Sequence, residues 1–250
     1  MMANKTLYCT LIPLILLIKA SVLCAKDMTP VELLNHVDQI HRADASYAEI
    51  VMEIETPDWQ RELKLKAWSL GKDYTLIRIL APRKDKGVAT LRRDREMWNF
   101  FPKINKVIKV PPSMMGGSWM GSDFSNDDLV KQTALAKEYE ISLEKTDKKY
   151  ILTLVPKQDT VTVWGKIVMH IDRHKLLPLE QAFYDEKGVK VRQLNFKDVK
   201  EWGGKLIPTV LEMIPLNKKN HKTTVRYEKL DLSLKLEKEF FSLRTLKRGK

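Results

Sequence analysis

The chain has 250 residues, 44 lysines and arginines against 32 acids, a formal charge of +12, and two cysteines, Cys9 and Cys24. Downstream of Cys24 no disulfide framework or thiol chemistry can be built. The basic balance would suit nucleic acid, but the first residues read as an export signal, and an exported protein rarely meets nucleic acid.

Lys5 supplies a positive charge, Leu7 to Ile18 an apolar run, and Leu23-Cys24-Ala25 a small residue at the cut. These are the parts of a secretory signal peptide, here residues 1–25. The run is too short to span a bilayer, which takes about 20 apolar residues, and no later segment approaches that length. Cys24 admits a lipid-modified N-terminus, but Leu23 is larger than the residue a lipobox places there, so cleavage after Ala25 is expected. Losing Lys5 and Lys19 takes the formal charge from +12 to +10. Residues 26–250 suffice for one domain, since β sandwiches and barrels reach that size. Such a basic protein suits an anionic membrane surface, where each Lys or Arg contributes about 1 kcal/mol. A solvated, self-repelling surface is the equal alternative.

One helix opens the exported part. Thr29, Pro30 and Glu32 form a capping box with proline in the first turn. Leu33, Val37 and Ile40 follow on one face, and the helix is expected to end near Asp44. From Ser46 the period becomes two. Leu63, Leu65 and Ala67 alternate with Lys64, Lys66 and Trp68, a half-buried strand. Similar stretches cover 47–55, 74–80, 87–93, 97–101 and 104–110. After a break they resume at 139–144, 150–155, 162–172, 179–184, 189–197, 206–214 and 223–232. Roughly eleven antiparallel strands in a meander predict a large curved sheet or barrel, mostly β with a minor α component. The basic tail from Leu246 is expected to fray.

Residues 111–128 interrupt the rhythm. Met114, Met115, Trp119, Met120 and Phe124 are interleaved with Gly116, Gly117 and Gly121, and Ser125 with Asp128 can cap a short helix through Leu129 and Val130. Long irregular loops are uncommon and often functional. Flexible thioethers adapt to irregular apolar partners. The segment reads either as a mobile, greasy lid over a cavity or as a plug that completes the core. Trp98 and Phe100 share one face of their strand, with Met97 and Phe101 on the other, so both faces are expected to be covered. Trp98, Phe100, Met114, Met115, Trp119, Met120 and Phe124 are the candidate ligand-binding residues.

Gly121-Ser122-Asp123-Phe124 followed by Asp128-Leu129 resembles the LolA-like family of outer-membrane lipoprotein-sorting proteins. Met97-Trp98 to Phe101-Pro102, Leu177-Pro178-Leu179 with Tyr184-Asp185, Ile207-Pro208 with His221-Lys222-Thr223, and Phe241-Ser242 to Leu246 follow in the family's order, covering the chain from about Ala43 to Leu246. The resemblance implies the unclosed β barrel of LolA, LolB and RseB, with helices on its concave face and acyl chains held between them. It further implies a periplasmic carrier, a chaperone for lipid or lipoprotein acyl chains that passes them from an inner-membrane exporter to an outer-membrane acceptor. The alternative within the fold is an RseB-like sensing module that touches a membrane-anchored protein.

Signals for an enzyme are weak. No Gly-x-Ser-x-Gly elbow is present. His170 and His174 flank Asp172, but a third metal ligand has no clear candidate. Glu53 and Glu55 read as solvated, and Ser122 with Asp123 as turn caps. No catalytic residue, metal or cofactor is therefore expected.

Overall fold

A computed structural model describes residues 28–41, 44–131 and 135–248. The expected signal peptide and Cys24 lie outside these. Helix α1 (Pro30–Asp38) begins as its capping box dictates: Thr29 Oγ1 accepts from the Glu32 N–H, and the Glu32 carboxylate accepts from the Thr29 N–H. It ends at Asp38, earlier than expected, and the chain turns through His41.

Among the described residues thirteen strands follow, rather than roughly eleven. The first six are β1 (Ala45–Glu55), β2 (Gln60–Leu70), β3 (Tyr74–Ala81), β4 (Ala89–Arg93), β5 (Glu96–Phe101) and β6 (Lys106–Lys109). Two short helices, α2 (Asn126–Lys131) and α3 (Leu135–Glu138), fill the break. Then come β7 (Tyr139–Lys145), β8 (Lys149–Pro156), β9 (Lys166–Asp172), β10 (Pro178–Tyr184), β11 (Lys190–Trp202), β12 (Lys205–Pro215) and β13 (Lys222–Asp231). Helix α4 (Leu243–Arg248) closes the chain.

Every strand pairs antiparallel with its neighbours, in the order β6-β5-β4-β3-β2-β1-β13-β12-β11-β10-β9-β8-β7. Each hairpin is local; β1–β13 is the long-range pairing, and among the described residues β6 and β7 form the two edges. The sheet curls without closing, because Thr75 and Ile77 of β3 line the same hollow as Met169 of β9, seven strands away in that order.

The period-two pattern sorts residues onto two faces. On the inner face Leu33, Leu34 and Val37 of α1 pack with Leu152, Leu154, Ile167, Met169 and Ile171. Nearer the first strands, Met52, Ile54, Leu63, Leu65, Ile79 and Met97 gather around Trp119. On the outer face Leu76, Ala89, Leu91 and Phe100 are covered by Phe241 and Leu246. Both faces of β5 are thus buried, as its sequence predicts, and the outer cover is Phe241 together with α4.

The tail does not fray as expected through Arg248. Leu246 is fully buried, and Arg78 Nη2 donates to the carbonyls of Thr245 and Leu246 at 3.0 and 2.9 Å. Burial pushes the Arg78 guanidinium below its usual pKa, and the last-turn carbonyls supply the negative end of a dipole. Arg78→Met removes charge-assisted bonds worth about 1.5–3 kcal/mol. The expected result is rapid tryptic cleavage at Arg244 and Lys247 under conditions where the unaltered protein resists; equal cleavage would show that α4 is held by packing alone.

Candidate functional site

Between the inner face, α1 and the 111–128 segment lies a cavity of about 240 Å³. Its position follows from small side chains. Cross-strand neighbours Ala48 and Ala67 face inward, and the next row is Ser46, Ser69 and Thr75. Where other rows place Leu or Ile, these leave space. The walls are Ile50, Met52, Leu65, Ile77, Met169, Leu194, Phe196, Leu211 and Val225. Polar lining comes from Asp38, His41 and the serines, and also from Asp128 and Gln181. His41 is held by a 2.6 Å hydrogen bond between Nε2 and the Pro208 carbonyl and by stacking on Tyr227.

The 111–128 segment covers the other end. A turn at Pro112–Met114 leads to a tight loop in which the Trp119 N–H donates to the Phe124 carbonyl at 2.8 Å. Ser122, 1% exposed, donates its hydroxyl to the Trp119 carbonyl. Met120 and Gly121 both have positive φ, 53° and 81°, a pair that only glycine relieves at the second position.

The cover is gripped from four strands. Trp119 Nε1 donates to Thr90 Oγ1 of β4 at 3.0 Å, and Thr90 in turn donates to Asn99. Thr223 of β13 donates to the Asp123 carboxylate at 2.7 Å and accepts from the Asp123 N–H. Arg61 of β2 reaches the Met120 carbonyl, and Arg92 of β4 the Leu129 carbonyl, both at 3.2 Å. Arg192 of β11 meets Asp128 through two bonds of 2.7 and 2.8 Å. Its guanidinium lies 4.1 Å from the Phe183 ring centre and 4.7 Å from that of Trp164.

Asp128 also caps α2: its Oδ2 accepts from the Ser125 N–H and hydroxyl, and the Ser125 Oγ accepts from the Asp128 N–H. Behind Phe124, a second hollow of about 50 Å³ is lined by Asp128, Leu135, Tyr139, Trp164 and Phe183. Burial pushes the Tyr139 phenol up, while its hydrogen bond to Thr162 opposes the shift.

The predicted site residues separate into groups. Trp119 and Phe124 line the larger cavity, and Phe124 lines both. Met115 and Met120 pack against the core around Trp119 without reaching the cavity wall. Met114 is 61% exposed. Trp98 and Phe100 are on the outer face against the α4 cluster, on the far side of the sheet from the cavity. Asp123 and Ser122 hold the cover in place. Arg61, Arg92 and Arg192 were not anticipated. Among the described residues no cluster of His, Cys, Asp and Glu could hold a metal; His174 N–H instead completes an Asp172 turn.

Thr90→Val isolates the grip on Trp119. The buried indole N–H loses its acceptor, at a cost of about 1–3 kcal/mol, whereas Trp119→Phe removes donor and demand together. Urea midpoints of Thr90→Val, Trp119→Phe and the double variant test this: Thr90→Val is expected to cost clearly less once Trp119 is Phe, the remainder being the donor that Asn99 loses.

The unclosed antiparallel sheet has a LolA-like fold. A crystal structure of a DUF1329 family protein from Desulfovibrio piger superposes with a TM-score of 0.77 at 26% identity, covering 87% of this chain and 97% of that one. A putative outer membrane lipoprotein-sorting protein domain from Vibrio parahaemolyticus matches with a TM-score of 0.74 at 22% identity, over 88% and 98%. A LolA superfamily protein from Nitrosomonas europaea gives 0.73 at 18%, over 88% and 100%. No curated protein matches the chain. The profile of a family described as "Uncharacterized protein" matches residues 71–248, and the chain belongs to that family.

Proposed function

We propose that the protein is a periplasmic carrier that takes acyl chains of a lipid or lipoprotein into its cavity and passes them toward the outer membrane. The observation that carries this reading is the mostly apolar hollow beneath Trp119, opened where Ala48 and Ala67 face each other across two strands. Exposing an acyl chain to water costs about 0.8 kcal/mol per CH₂, so transfer between membranes needs an apolar intermediate and no bond chemistry. An apolar cavity of about 150 Å³ accepts benzene, and by that measure about 240 Å³ holds roughly ten carbons. A longer chain requires the cover to shift.

The carrier reading places no catalytic residue in the cavity. The relatives named for lipoprotein sorting support the reading through their fold. Native mass spectrometry of the protein from its own periplasm, with uptake of a fluorescent fatty acid by the delipidated protein, tests it. Co-purified lipid and saturable uptake are expected. An empty cavity that takes up no fatty acid overturns the proposal.

A further inference from the structure

Alternate turns of an antiparallel meander fall at opposite ends of the sheet. One end collects the turns at 56–59, 82–88, 102–105, 157–165, 185–189 and 216–221; the other collects 71–73, 94–95, 146–148, 173–177 and 203–204. The two rims differ in what they expose. Five turns of the first carry large apolar side chains in water: Trp59, Ile104, Val163, Val189 and Leu216, between 43% and 67% exposed. None of the turns at the second rim carries one. Val199 and Leu206, the exposed pair near it, belong to the β11–β12 ladder.

The remaining turn of the first rim is basic instead. Arg83, Lys84 and Lys86 are exposed, and their turn touches the β5–β6 hairpin, since a Cβ on Gly87 would lie 3.3 Å from Pro102. That hairpin adds exposed Lys103 and Lys106 on either side of Ile104. The acid within the basic turn, Asp85, is neutralised by Arg61 at 2.5 Å. Among the described residues none of these five cations has an ion-pair partner.

Separate apolar fingertips around a ring, set beside unpaired cations, match the boundary of an anionic bilayer, where apolar tips enter the acyl region and lysines stay with the headgroups. We propose that this rim is a membrane-docking face that recognises anionic phospholipid. The same rim holds the cover: Trp59 borders Gly121, and Thr223, at the start of β13, holds Asp123. Docking therefore sets the cover against the bilayer. Docking of this rim does not depend on whether the cavity carries a cargo.

Co-sedimentation of the purified full chain with vesicles of mixed phosphatidylglycerol and phosphatidylcholine, and with phosphatidylcholine alone, tests it. Binding is expected to the anionic vesicles only, and to weaken as salt screens the charges. The variant Lys84→Ser, Lys103→Ser, Lys106→Ser is expected to bind on the order of a hundredfold more weakly. The variant Ile104→Ser, Val189→Ser, Leu216→Ser is expected to lose about tenfold or more. All these side chains are exposed, so thermal melting should remain near that of the unaltered protein, and a rim variant that melts much lower is replaced by its single substitutions. A control at the opposite rim, Lys148→Ser, Lys175→Ser, Lys205→Ser, removes the same charge and is expected to bind normally. Equal loss in the control would reduce the effect to net charge and overturn the proposal. Binding to native membranes but not to pure lipid vesicles would also overturn it and assign the rim to a protein partner.

Discussion

Asp128→Ala is expected to lower the unfolding free energy by about 3–5 kcal/mol, because it leaves the Arg192 guanidinium buried and unpaired. The two side chains are only 8% and 15% exposed, so bulk solvent does little to replace the lost carboxylate. The Ser125 cap of α2 is lost with it. Arg192→Met should cost less, since it leaves Asp128 its Ser125 partners and puts an unbranched apolar chain beneath Phe183 and Trp164. The double variant, with no charge left in the site, should recover much of the loss, as buried pairs replaced by apolar groups often do. Urea midpoints of the four proteins form a double-mutant cycle. A loss below about 1 kcal/mol in Asp128→Ala would show that the pair is hydrated in solution and that the cover is held elsewhere. Hydrogen exchange gives an independent readout: amides of 118–131 should exchange faster in Asp128→Ala while those of β8 and β9 do not, because the pair fastens the cover and not the sheet.

That pair shows where sequence reading reached and where it stopped. The strands were legible because alternation is a local signal: Leu63, Leu65 and Ala67 face one way whatever the rest of the chain does. The capping box of α1 was legible for the same reason. The three arginines were not read, although each sits in phase with a buried row. Arg61 precedes Leu63 and Leu65 at the same parity, Arg192 precedes Leu194 and Phe196, and Arg92 follows Thr90. An arginine in the apolar phase of a strand announces an internal partner, and their shared target in the cover appears only when distant strands curl together. Trp98 and Phe100 illustrate the converse. Their parity separated them correctly from Met97, but parity cannot say which face is the inside. That was decided by α4, some 140 residues further along the chain, covering the side with Phe100.

Filling the hollow gives the sharpest separation between a carrier and a merely loose core. Ala67→Phe adds a phenyl ring, a group that by itself occupies an apolar cavity of about 150 Å³, to a space of about 240 Å³. Fatty-acid uptake is expected to fall at least about tenfold, while stability holds or rises by about 0.5–2 kcal/mol, as cavity-filling changes commonly do. Phenylalanine also suits a central strand, and the neighbours across the ladder, Ala48 and Ile77, leave it room on one side. If the ring overpacks, uptake and stability fall together, and Ala48→Leu then provides a smaller filler from the adjacent strand. Uptake unchanged in both variants would mean that whatever fatty acid binds does so on the surface, and the hollow beneath Trp119 would be a packing defect without cargo. Uptake lost with stability intact would instead tie acyl binding to the space that two alanines leave open.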